Sequence, residues 1–142
     1  MKKSRKDNRC LAYIEKTAFW EKNMKFSESL KKNSDFQKVY KRGKSYANRY
    51  LVLYVLKNGT ECNRLGISIS KKVGNSIVRH RLKRLIKEAY RLQEDIFYSG
   101  LDIVVIARMS AKGISYTETE SALLHLGNLH SILKSIKKEE DD

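Results

Sequence analysis

The chain is 142 residues long, with 30 Lys or Arg against 16 Asp or Glu and a formal charge of +14. That length suits one domain around a single core, and a positive field of that size suits a polyanionic partner: RNA, DNA or an anionic membrane surface. No apolar run is long enough to span a bilayer, and residues 11–20 hold Glu15 and Lys16 where a secretory signal needs apolar side chains, so the cytoplasm is the expected compartment. Cys10 and Cys62 are far apart in the sequence and no Cys/His pair has ligand spacing. This argues against a disulfide and against a metal site.

Residues 1–29 are polar and basic without a sustained period, which predicts a loosely ordered extension, although Leu11, Tyr13, Ile14, Phe19 and Trp20 could form a short helix. Met24 opens the segment that runs into the domain, and a translation start there would place residues 1–23 outside the native protein. The domain proper is expected over 30–136, followed by a charged tail at 137–142.

A first helix is predicted from Ser34, where Ser34 and Gln37 have capping-box spacing, Asp35 suits the first turn and Gly43 can supply a left-handed stop. Phe36, Val39 and Tyr40 share one side of it. Val39 reads as core; the two aromatics fit either a core or a surface on which bases stack. The β-formers at 50–56 predict a strand with Tyr50, Val52 and Tyr54 on one face and Leu51, Leu53 and Val55 on the other. Asn58-Gly59 marks a turn. Residues 64–70 alternate, with Leu65, Ile67 and Ile69 directed to a core and Gly66, Ser68 and Ser70 forming a small, polar opposite face. That face suits either close approach by a large partner or plain exposure to water.

Residues 71–91 are the most informative stretch. Val78, Leu82, Leu85, Ile86, Ala89 and Leu92 recur at helical spacing, while Arg79, Lys83, Lys87 and Arg91, with His80 and Arg84 among them, wrap the other side. Glu88 is the single acid there, so intrahelical ion pairing does not account for the cations. Such a face attracts phosphate and releases counterions on binding it. Asn75 or Ser76 is the predicted N-cap, and backbone N–H groups at Gly74-Asn75 could receive a phosphate. Residues 101–107 read as a buried strand, parallel to a neighbour. Ser115 and Glu118 have capping-box spacing before a helix whose apolar side is Leu123, Leu126, Leu129, Leu133 and Ile136. Gly127 inside that helix costs about 1 kcal/mol relative to Ala. His125 and His130 read as surface or edge residues. The order of elements makes an α+β domain with a small sheet and helices packed on it.

Asp35, Glu61, Glu88, Asp95 and Asp102 are scattered through these elements. A self-sufficient nuclease needs converging carboxylates for metals or a His acid–base pair, so a binding role is favoured over an autonomous enzyme. A general RNA chaperone or ribosomal protein is the main alternative. DNA binding through the basic helix lacks a helix-turn-helix partner.

Several segments in order resemble the protein subunit of bacterial ribonuclease P: LKKNSDFQKVYKRGKS, ANRYLVLY, LGISISKKVGNSIVRHRLKRLIKEAYR, LDIVVIAR and YTETESALLHL. The family hallmark is an Arg-Asn-Arg triplet in a basic helix after a Lys-Lys-x-Gly-Asn turn. Here the turn is Lys71-Lys72-Val73-Gly74-Asn75 and the triplet is Arg79-His80-Arg81, so His80 replaces an Asn and the paired donor and acceptor of an amide are absent. The resemblance implies an α/β sandwich of a four-stranded sheet and three helices in the order αβββαβα, with a left-handed βαβ crossover. It implies removal of the 5′ leader of precursor tRNA by a large RNA subunit and its Mg²⁺, with one protein per RNA, no membrane or DNA partner, and neither catalytic nor metal-binding residues in the protein. By position it assigns Phe36, Tyr40 and Tyr54 to a leader-binding cleft, and Lys71, Lys72, Arg79, His80, Arg81, Arg84 and Lys87 to the basic RNA-binding region.

Overall fold

A computed structural model describes residues 27–134; the expectations for residues 1–26 and 135–142, including a start at Met24 and the place of Ile136 on the last helix, fall outside the described residues. The order is β1 (Ser27–Ser29), α1 (Asn33–Arg42), β2 (Lys44–Ala47), β3 (Leu51–Lys57), β4 (Asn63–Ile69), α2 (Ser76–Leu92), β5 (Leu101–Ala107) and α3 (Tyr116–Leu129). The strands form one sheet in the order β1-β4-β5-β3-β2. β4 and β5 are parallel neighbours joined through α2, and β3 runs antiparallel to both β5 and β2.

The sheet is the middle of three layers. Leu51, Leu53, Leu65, Ile103 and Val105 pack with Leu82, Ile86 and Ala89 of α2 and Leu123 and Leu126 of α3. On the opposite face Val104 meets Leu30 and Val39, flanked by Phe36, Tyr40, Tyr54 and Ile106. Strict alternation along β3, β4 and β5 produces this division, because successive side chains leave a strand on opposite sides.

The sheet has five strands rather than the expected four. The additional one, β1, is parallel to β4, pairing Ser27 with Asn63 and Ser29 with Leu65. Its sequence, Ser-Glu-Ser, has no β-propensity to betray it; tertiary contacts hold it instead. The Ser27 hydroxyl lies 2.7 Å from the Tyr90 hydroxyl, to which Asn63 Nδ2 also donates at 3.1 Å. Tyr90 is fully buried, although its polar tip kept it off the apolar stripe read from the sequence. The sheet thus takes in residues that composition alone places in the basic extension.

Other local expectations change for physical reasons. Asn75 caps α2, accepting from Val78 N–H at 3.0 Å, and Ser115 and Glu118 close a full capping box on α3. Ser34, however, lies inside the first turn of α1, whose N-cap is Lys32 without a side-chain bond. Gly43 has φ −79° and is not left-handed; it is required for space, since a Cβ there would lie 2.7 Å from Val39 O and 2.8 Å from Val55 O. α3 stops at Leu129, so Leu133 does not extend its apolar side but folds back to bridge Phe97. Gly127 makes room for that return, because a Cβ would sit 2.9 Å from Leu133 Cδ2. Leu92 and Leu129 are exposed. Cys62 is disulfide-bonded, against the expectation of no disulfide, because distance along the sequence is no guide to pairing.

Candidate nucleic-acid interface

Strand register arranges the α1 face of the sheet in three rungs. Leu56, Asp102, Arg64 and Glu28 form the first, Ser45, Tyr54, Val104 and Gly66 the second, and Ala47, Val52, Ile106 and Ser68 the third. α1 is anchored over the first two. Arg64 donates to both Asp102 oxygens, from Nε at 2.8 Å and Nη2 at 2.6 Å, and reaches Asp35 Oδ2 in the first turn of α1 at 3.2 Å. Asp102 is buried and also accepts from Asn58 Nδ2 at 2.9 Å. A paired and hydrogen-bonded carboxylate is the form in which a buried charge is tolerated. This bond to Asp102 holds the Arg64 guanidinium above its ordinary value. The sequence reading gave Arg64 no role; its cation serves the fold.

Above the second rung the Phe36 ring covers Gly66, where a Cβ would stand 2.6 Å from Phe36 Cζ. The large group that the small face of β4 admits is therefore the chain's own Phe36. Tyr40 lies beside it with ring centroids 6.3 Å apart, and meets Tyr54 edge-on at 5.1 Å. All three rings are half-buried, so each is held by packing while part of it faces solvent. The structure brings Phe36, Tyr40 and Tyr54 into one aromatic wall.

The third rung is more open: Val52, Ile106 and Ser68 are half-buried and Ala47 is exposed. It lies at the end of the sheet where β4 leads into the exposed Lys71 and Lys72 and β5 into the exposed Arg108. Arg108 Nη1 donates to the Asn48 carbonyl oxygen at 2.8 Å. An apolar floor, a wall of partly open rings and cations at its mouth can hold a single strand by stacking bases and neutralising phosphates. The sequence places Val52 on the face of Tyr54, but Ile106 and Arg108 were not singled out; only register sets Ile106 beside Val52 on this floor, with Arg108 two residues further at its mouth.

The remaining basic residues lie on the other side of the sheet. His80, Arg81, Lys83 and Arg84 are exposed, whereas Arg79 and Lys87 are half-buried. Arg79 Nε donates to the Gly74 carbonyl oxygen at 3.2 Å, and Arg81 Nη2 to that of Ile114 at 2.9 Å. Each guanidinium is oriented by a backbone oxygen and retains further N–H donors, since Arg carries five. Glu88 accepts two bonds from Arg91, at 3.1 and 2.6 Å, which lower its carboxyl below the ordinary value. A shallow groove along this face is lined by Ser76, Ile77, His80, Arg84, Leu85 and Glu88, among others. The predicted residues thus fall on two surfaces, back to back across the sheet and joined by the turn carrying Lys71 and Lys72.

Among the described residues no three His, Cys, Asp or Glu side chains gather as a metal site. No helix there is long and apolar enough to cross a membrane.

Residues 24–130 match the family described as Ribonuclease P. The ribonuclease P protein component of Lachnoclostridium phytofermentans is 62% identical over 109 residues, covering 77% of this chain and 94% of that protein. The corresponding protein of Clostridioides difficile is 52% identical over 101 residues, 70% of this chain and 89% of its own. Among solved structures, the RNase P protein of Staphylococcus aureus superposes with a TM-score of 0.71 at 38% identity, covering 76% of this chain and 99% of the other. That of Thermotoga maritima gives 0.65 at 36% identity, over 70% and 94%. With most of its length matched by sequence, and the same sheet-and-helix arrangement found in those structures, this chain belongs to the ribonuclease P protein family.

Proposed function

We propose that this chain, as the protein component of ribonuclease P, holds the 5′ leader of precursor tRNA along the α1 face and meets the catalytic RNA through α2. The first part of that statement follows from family membership: the protein serves with an RNA subunit in removing the 5′ leader. The division of labour between faces is our reading. The observation that carries it is the assembly of Phe36, Tyr40 and Tyr54 beside an open rung of the sheet, with Lys71 and Lys72 at its mouth. His80, Arg81 and Arg84 point away from that floor, so one strand and a second, larger RNA can be held at once.

In this reading the RNA subunit and its Mg²⁺ carry out hydrolysis, and one protein joins one RNA in the cytoplasm. The protein contributes binding energy. A leader exists only in the precursor, so contacts along the α1 face favour substrate over product and do not retain the product. The test is reconstitution with a bacterial ribonuclease P RNA at low Mg²⁺. Adding the protein should restore cleavage of precursor tRNA and raise affinity for precursor over mature tRNA. Equal affinity for both would indicate a general RNA chaperone, and cleavage by the protein alone an autonomous nuclease.

A further inference from the structure

The last described residues attach the chain to the C-terminal end of α2. Tyr98 N–H donates to the Ile132 carbonyl oxygen at 2.8 Å, Leu133 bridges Phe97, and Lys134 N–H donates to the Ile96 carbonyl oxygen at 2.6 Å. Ile96 lies just beyond Leu92, where α2 ends. From that point the sequence continues Ser-Ile-Lys-Lys-Glu-Glu-Asp-Asp, placing four consecutive acids at 139–142 in a chain of charge +14.

We propose that the outer face of α2 is a docking surface for the chain's own acidic segment, Glu139 to Asp142, which competes there with RNA. Reach permits it. At roughly 3.5 Å per extended residue, Asp142 lies within about 28 Å of Lys134, while the 17-residue α2 is about 25 Å long. Arg84, Arg81 and His80 stand roughly 12 to 18 Å back from its C-terminal end, the span that Glu139 to Asp142 can reach. The order of charges also corresponds. In sequence Lys137 and Lys138 come first and the four acids follow, so a chain laid back along the helix would bring the lysines to the negative end of its dipole and the acids to Arg84, Arg81 and His80. Among the described residues no carboxylate pairs with His80 or Arg84, whereas Arg91, nearest the attachment, is already bound to Glu88. Tethering supplies an effective concentration in the millimolar range, enough for weak exposed pairs to form together. An RNA presenting many phosphates displaces such a segment; one presenting few does not, so the contact discriminates against short, adventitious RNAs.

The competition rests on the reading of α2 as an RNA surface, but the docking does not, and the test separates them. The full chain is compared with a variant carrying Glu139→Gln, Glu140→Gln, Asp141→Asn and Asp142→Asn. Without RNA and at low salt, amide chemical shifts should differ along residues 77–88, and the difference should vanish at high salt. Differences confined to residues after 130 would overturn the docking. With a short RNA duplex as probe at low salt, the variant should bind about 3–10-fold more tightly, as expected for several exposed pairs released. That gain should disappear when His80→Ala and Arg84→Ala are added. A gain of equal size in that background would reveal only a change in overall charge and overturn the proposal. Shifts along α2 without any change in RNA affinity would uphold the docking and overturn α2 as the RNA surface.

Discussion

The Phe36 ring lies where a side chain at Gly66 would be, 2.6 Å from the position of its Cβ. Gly66→Ala should therefore push the ring away from the sheet. Overpacking of this kind costs about 1–3 kcal/mol, read as a lower urea midpoint. If the aromatic wall holds the leader, the same variant should also weaken precursor binding more than mature tRNA binding. Wild-type stability together with wild-type precursor affinity would mean that the ring does not need its seat on β4.

Phe36→Ala and Tyr40→Ala test the wall directly. Loss of a stacked base costs about 1–3 kcal/mol, so precursor affinity should fall by roughly 5- to 150-fold while mature tRNA affinity changes little. Equal losses for the two RNAs would count against a cleft that recognises the leader. Val39, between them in the sequence, is fully buried, and Val39→Ala should act chiefly on stability.

The cations should be visible in the salt dependence. Each phosphate left without its cation should flatten the plot of log affinity against log salt by roughly 0.7–0.9. Arg84→Ala is the cleaner probe because Arg84 is exposed, whereas Arg79→Ala also releases the Gly74 carbonyl and loosens the turn before α2. An unchanged slope in Arg84→Ala, and in Lys72→Ala at the other surface, would mean that these side chains remain in water when RNA binds.

Tyr90 gives a prediction for stability at alkaline pH. Burial is the main reason its hydroxyl is held well above the usual tyrosine value near 10. Because the folded-state value is raised, the associated stability is complete below pH 10 and is lost as pH rises past the value of the unfolded chain. Tyr90→Phe should remove this alkaline loss, while costing about 1–3 kcal/mol near neutrality by depriving Ser27 and Asn63 of their common partner. Amide exchange should quicken first at Ser27–Ser29. An alkaline profile identical to the wild type would show that Tyr90 does not set it.

Sequence periodicity makes the two faces of β3 and β4 legible because a half-buried strand must alternate, and it locates α2 because one side of that helix has to meet a core; Tyr50 departs from the pattern, since it precedes the strand and packs against the core on the α2 side. The caps at Asn75 and Ser115 are legible for the same local reason: each side chain reaches a backbone N–H three residues on. What local pattern does not carry is contact between distant residues. Ser27 is invisible as a strand residue without Tyr90, Arg64 as an anchor without Asp102 and Asp35, and Gly127 as a necessity without Leu133. The division of the basic residues between two surfaces is likewise a matter of topology: Lys71 lies in the turn that leaves the end of β4, and Arg84 on the helix that packs against the other side of the sheet. The open rung of Ala47, Val52, Ile106 and Ser68 depends on the register of four strands, which no single segment encodes.

A shared slab of five strands has a mechanical consequence. Whatever is gripped on one side stays at a constant offset from whatever is gripped on the other, because side chains interdigitated through both layers leave little room for sliding. If leader and RNA subunit occupy the two faces as proposed, the slab is a gauge as well as a grip, fixing how far the tethered end of the substrate stands from the body of the RNA.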